Sequence, residues 1–234
     1  MMRLACLAIP LFFGVIFISL APAPAQEGKK YAIKTNATPL PKEFAEPIQK
    51  MLVDSSIQFT EASGKPICDI WFRKELPAEA TPAQLKTGVT FREVKQTEIL
   101  GAVQFHVNWT DYRKQKVKPG FYTMRLGYQP TDGKHTADVS DFQEFVLLIN
   151  AKADTKPNLL EAKMLHDRSG ESLDLGHPAV FMLWPTNAPK VPELTPRPKN
   201  HWVVSSKCNL VVNGKLTDAS IGIGLTILGH SPAE

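Results

Sequence analysis

From residue 57 onward, hydrophobic positions recur mostly at every second residue, the rhythm of a half-buried strand. Ile57 and Phe59 alternate with polar neighbours, and Ser63-Gly64-Lys65-Pro66 turns the chain. Cys68, Ile70 and Phe72 then share one strand face, with Asp69, Trp71 and Arg73 on the other. Val103, Phe105, Val107 and Trp109 alternate with Gln104, His106 and Asn108, the cleanest such strand in the chain. Past the turn Lys118-Pro119-Gly120, the positions Tyr122, Met124, Leu126 and Tyr128 line one side of a further strand. Phe145 to Ile149 and Ala179 to Trp184 are continuous apolar runs of strand length, suited to burial on both faces. Trp202 to Val212, the Asn213-Gly214 hairpin signal and Ile221 to Leu228 predict a terminal β-pair.

Helical spacing is sparse. Pro47 to Val53 carries Ile48, Met51 and Leu52 at three-to-four spacing behind a first-turn proline, and Pro157 to Leu165 carries a second such pattern ending at Met164. Leu76 to Gln84 reads as a loop, and residues 185–198 as a proline-rich connector. Many short strands, Gly/Pro turns and one or two short peripheral helices predict a mainly β chain. Its expected fold is an antiparallel β-sandwich, immunoglobulin-like or related. The expected organisation is an N-terminal extension over 26–55 and a single domain over 56–234.

The first 25 residues have a different pattern. Arg3 precedes an almost unbroken apolar run from Leu4 to Leu20, and Ala23 and Ala25 supply the small residues of a cleavage site, so residues 1–25 read as a secretory signal peptide. Cys6 precedes that run, where a lipid-attachment cysteine follows it. About 209 of 234 residues remain after cleavage, enough for one large domain. No later segment reaches membrane-spanning length. Of 27 basic residues, the loss of Arg3 leaves 26 against 23 acidic ones, a balance that suits neither nucleic-acid binding nor disorder.

Export changes the reading of the cysteines. An oxidising compartment permits a Cys68–Cys208 disulfide, and the alternative is two separate buried thiols. The sequons at Asn36 and Asn108 matter only in a eukaryotic secretory pathway.

Candidate chemistry is thin. The chain lacks G-x-S-x-G, H-E-x-x-H, C-x-x-C and phosphate-loop patterns, so no catalytic residue and no cofactor is assigned. Gly222 and Gly224 lie within a terminal strand with no helix to follow, which excludes a dinucleotide fingerprint. His166, Asp167, Glu171, Asp174 and His177 form the densest imidazole–carboxylate constellation, with His166, Asp174 and His177 as candidate metal ligands, set against a solvated helix end. His135, in the stretch Asp132 to Asp141, is a further metal candidate, although the order of acidic residues departs from a calcium loop. Arg113, Lys114, Lys116 and Lys118 form a basic run that can meet an acidic surface or polysaccharide. Of the four tryptophans, Trp71 is the candidate for stacking on a ligand.

Three stretches carry a likeness: Ile70 to Pro77, Trp109 to Lys116 continuing through Pro119 to Pro130, and Leu228 to Glu234. His177 to Val180 adds a fourth. On these, the chain resembles a family of uncharacterised exported bacterial proteins over most of its mature region. The resemblance implies a bacterial envelope location, periplasmic or extracellular, and no particular activity, substrate or cofactor. Members tend to read Asp-Gly-Asp-His-Met-Gly after the central strand, where this chain has Asp132-Gly-Lys-His135-Thr-Ala137, so an Asp and a Met of a copper-type ligand set are missing. The leading expectation is a non-catalytic binding or accessory domain with an envelope protein or polysaccharide as partner. A metal-binding protein or metal-dependent hydrolase and a carbohydrate-binding module are the alternatives.

Overall fold

The computed structural model describes residues 30–130, 140–173, 177–187 and 189–232. The leader lies outside the described residues. The elements, in chain order, are β1 (Tyr31–Asn36), α1 (Glu46–Gln49), β2 (Ser56–Glu61), β3 (Pro66–Phe72), β4 (Glu75–Pro77), α2 (Pro82–Thr87), a 3-10 turn at Phe91–Glu93, β5 (Ile99–Phe105), β6 (Trp109–Thr110) and β7 (Lys116–Val117). Then follow β8 (Gly120–Tyr128), β9 (Glu144–Asn150), α3 (Ala162–Leu173), β10 (Ala179–Trp184), β11 (Glu193–Arg197), β12 (His201–Val212) and β13 (Lys215–Leu228). The chain is mainly β and mostly antiparallel, as its two-residue rhythm predicts.

Ten strands form one hydrogen-bonded path, β1-β2-β3-β5-β8-β9-β10-β13-β12-β11. The path curls on itself, because residues of β13 (Leu225, Ile227) pack against Val103, Phe105 and Met124 of β5 and β8. Near its ends, Tyr31 of β1 packs on Trp202 of β12 in a T-shaped pair with ring centroids 5.4 Å apart. The bend falls at β10, which pairs β9 along four positions but β13 through only Leu183↔Leu225 and Trp184↔Gly224. Two glycines in β13 permit it. A Cβ on Gly222 meets the Thr186 carbonyl oxygen at 2.1 Å, and one on Gly224 meets that of Trp184 at 2.4 Å. The Gly222/Gly224 pair therefore serves close backbone approach.

β4 ties the curl together. The chain leaves β3 and pairs parallel with Asn209–Val211 of β12 before returning to the sheet in β5. An Arg73–Glu98 ion pair at 2.6 Å fastens the two ends of that excursion. Within it, residues expected as loop instead form β4 and α2. Thr81 caps α2 in a reciprocal box with Gln84, with a proline in the first turn.

Apolar side chains divide among three places. The interior of the curl holds Phe59, Cys68, Ile70, Val103, Phe105, Tyr122, Leu148, Phe181, Cys208 and Ile223, among others. The outer face of β3 and β5 is covered by the segment carrying Phe44, Ile48 and Leu52, which packs on Trp71 and Ala102. α3 covers β9 and β10 through Leu165, against Leu147, Ile149 and Met182. β9 is thus buried on both faces, as its unbroken apolar run implies.

Both helix boundaries differ from the periodicity. α1 stops at Gln49, because Leu52 bridges Arg73 and the Val53 amide donates to the Phe72 carbonyl, which commits residues 52–53 to the sheet. α3 starts at Ala162 rather than at Pro157, because the preceding segment is held by a buried ion pair. Arg125 donates to both carboxylate oxygens of Asp154 at 2.8 Å, and to the carbonyls of Lys156 and Asn158 at 2.8 and 3.1 Å. Those carbonyls are unavailable to a helix. The hydroxyl of Thr97, a residue at a φ of 73°, donates to the Leu160 carbonyl and accepts from the Leu160 amide.

Candidate functional site

The metal constellation does not assemble among the described residues. His166 is half-buried on α3 and His177 is exposed just before β10, while Asp174 and His135 lie outside the described residues. No three His, Cys, Asp or Glu side chains come together among those described. Trp71 is corrected from ligand platform to core: it is 0% exposed and meets Phe44 edge-on at 5.9 Å. Its face cannot receive a ligand. Cys68 and Cys208 are separate buried thiols rather than a disulfide. Burial pushes the Cys68 thiol well above its usual range and that of Cys208 up to about 12.

One gap inside the curl is too small to hold a ligand. Val103, Phe105, Met124, Leu148, Phe181, Leu225 and Ile227 close on one another without room for a water molecule.

A polar network that periodicity did not flag lies across the outer face of β2, β3 and β5. Asp69 accepts from the Ser56 hydroxyl at 3.1 Å, from Gln58 Nε2 at 3.1 and 3.3 Å, and lies 2.6 Å from His106 Nε2. Ser, Asp and His therefore sit together. The Ser56 hydroxyl is spent on the carboxylate, however, and the imidazole faces the same carboxylate, so the serine–imidazole contact of a nucleophilic triad is not formed. The network fixes three strands and leaves His106 exposed.

The basic run is presented on a small hairpin, β6–β7, in which Trp109 pairs with Val117 and Thr110 with Lys116. Asp111 organises its tip. One carboxylate oxygen accepts from the amides of Arg113 and Gln115 at 2.9 and 2.8 Å; the other accepts from Gln115 Nε2 and the Val180 amide at 2.7 and 3.1 Å. Burial raises the Asp111 carboxyl above its ordinary value, partly offset by these four bonds. Lys114 takes a left-handed φ of 62° at the turn. The hairpin is also docked from outside, by Tyr112 N to Val180 O, Ser231 N to Tyr112 O and Gln115 Nε2 to Pro178 O, all within 2.9 Å. Trp109 anchors its base through Nε1 on the Ile227 carbonyl at 2.8 Å. Lys114, Lys116 and Lys118 face outward, with Arg113 half-buried beside them.

Next to this hairpin is an aromatic corner. Phe142 meets Trp184 edge-on at 5.0 Å, and the Arg197 guanidinium lies 5.3 Å from the centroid of the same indole. His201 packs between Trp184 at 6.2 Å and Tyr112 at 5.8 Å. Gly229 backs the imidazole so closely that a Cβ there falls 1.8 Å from His201 Cδ2. Trp184, half-buried, is thus the tryptophan at a polar surface corner; the prolines after it had marked only a connector.

The fold and these two features define a mainly β protein with a curled sheet and a rigid cationic hairpin. Among the described residues, no helix is long and apolar enough to cross a membrane. No protein-family model, no curated protein and no solved structure matches the chain.

Proposed function

We propose that this is an exported, non-catalytic binding domain of the bacterial envelope, and that the β6–β7 hairpin is its contact surface for an anionic polysaccharide. The single observation behind this reading is the way the cations are held. Four basic residues within six positions, Arg113 half-buried and three lysines exposed, lie on a hairpin whose turn is pinned by a buried carboxylate and docked by three main-chain or amide bonds. A fixed main chain loses little conformational freedom on meeting a polyanion, so only the ordering of the lysine side chains offsets the attraction. Its field adds over neighbouring charges. Export rests on the leader, and the envelope setting on the family resemblance. In this reading the curled sheet is a sandwich whose two layers are the path on either side of the β10 bend.

The test is co-sedimentation of the mature protein with an insoluble uronic-acid polysaccharide at low salt. Binding is expected to weaken steeply between about 0.05 and 0.3 M salt as charges are screened. It should be lost in a Lys114→Glu/Lys116→Glu double variant and kept in Lys207→Glu, an exposed cation on β12. Binding that ignores salt and both hairpin substitutions, or no binding at low salt, rejects the assignment of this surface.

A further inference from the structure

The aromatic corner contains polar atoms that the fold leaves without partners. Among the described residues, Arg197 Nε and His201 Nδ1 are buried and have no hydrogen-bond partner. They belong to directly paired residues on β11 and β12, and both side chains lie against the Trp184 ring. Facing residues of an antiparallel pair bring their side chains within about 5 Å at Cβ. The Tyr112 hydroxyl, also without a well-formed bond, has the Ser140 hydroxyl near it and completes the same neighbourhood.

Their chemistry is complementary. His201 Nε2 lies 3.3 Å from the His230 carbonyl, which can only accept, so Nε2 carries the hydrogen and a neutral ring keeps its lone pair on Nδ1. Arg197 Nε–H can only donate. One atom therefore needs a donor and the other an acceptor. A hydroxyl group is the smallest species that is both, and buried polar atoms are rarely left unmatched.

We propose that this corner is a binding site for one hydroxyl group, which accepts from Arg197 Nε–H and donates to His201 Nδ1. The hydroxyl comes either from an ordered water or from a small polyol or sugar entering along the half-buried Trp184 and Arg197. The site stands whether or not the hairpin meets a polymer, because the two rest on different residues and different measurements.

A crystal structure of the mature protein grown without polyols tests it directly. The expected result is a density peak within about 3.2 Å of both nitrogens. A direct Arg197 Nε–His201 Nδ1 bond with nothing between them overturns the proposal. Nitrogen-15 spectra of the histidines give an independent reading: His201 is expected as the Nε2–H tautomer, with Nδ1 shifted as a hydrogen-bond acceptor. A protonated Nδ1 in the neutral ring overturns it, as does an Arg197→Met variant that keeps its fold and leaves the Nδ1 signal unmoved. Adding glycerol or a monosaccharide separates the sources. A saturable shift of Nδ1 with Trp184 quenching assigns the hydroxyl to the added molecule, and an unchanged spectrum with the peak present assigns it to water.

Discussion

Removing the Asp154 carboxylate should be strongly destabilising. Arg125 is 0% exposed and its side chain grips both carboxylate oxygens, while Asp154 is 1% exposed and also accepts from the Thr123 hydroxyl. Asp154→Ala leaves a guanidinium buried with only the carbonyls of Thr97, Lys156 and Asn158 as acceptors. Breaking a buried pair from one side costs about 3–5 kcal/mol, because the surviving charge is uncompensated. With a urea m-value of about 2–3 kcal/mol/M, the unfolding midpoint should fall by about 1–2.5 M. A second variant separates loss of charge pairing from loss of packing. Arg125→Met/Asp154→Leu removes both charges and keeps most of the volume, so it should recover most of the loss, giving a coupling of at least about 2 kcal/mol in a double-mutant cycle. If the single substitution costs under about 1 kcal/mol, or the double variant is no more stable than Asp154→Ala, the pair is not what holds residues 154–160 away from helix. Far-ultraviolet circular dichroism then has a specific role. Freed from Arg125, that segment can extend α3 towards Pro157, and helical signal should rise in the double variant.

Three further outcomes follow from burial and backbone contact. Because Asp111 has its folded value raised above about 3.9, the native state holds that proton more tightly; its contribution to stability is full below the unfolded value and is lost as pH rises through the folded one. Denaturation across that window should show a falling component that Asp111→Asn abolishes, and identical profiles contradict the assignment. Protein lacking residues 1–25 should react slowly with a thiol reagent when native and yield two thiols when unfolded, Cys68 and Cys208 being buried and unbridged; fewer than two on unfolding means a disulfide. Gly222→Ala drives a methyl group into the Thr186 carbonyl and should lower stability by about 1–3 kcal/mol in thermal or urea unfolding, whereas a neutral effect means that the β10 bend is looser than the contacts imply.

What the sequence made legible is what neighbouring residues decide. The two faces of β3, the double burial of β9 and the Asn213-Gly214 turn, with φ of 52° and 73°, all follow from local pattern. The capping box that starts α2 was also local, in Thr81-Pro82-Ala83-Gln84, yet the surrounding Pro and Ala residues read as loop. Other features were set at a distance. Trp71 looks like a surface ring on a polar strand face until Phe44 is laid over it from the N-terminal segment. Asp69 and His106 alternate as solvent-facing residues, and only the pairing of β3 with β5 brings them together. The basic hairpin was visible as charge, but its rigidity depends on Asp111 reaching Val180, 69 positions away.

The parallel contact between β4 and β12 has a consequence for how the chain matures. Residues 75–77 find their partner only in residues 209–211, across more than half the chain, so the curl cannot close until nearly all of it is free to move. Closing a loop of that length costs more entropy than pairing strands that are neighbours in sequence. Under the export proposed above, a partner this late in the sequence defers closure of the curl until the last strands have crossed the membrane.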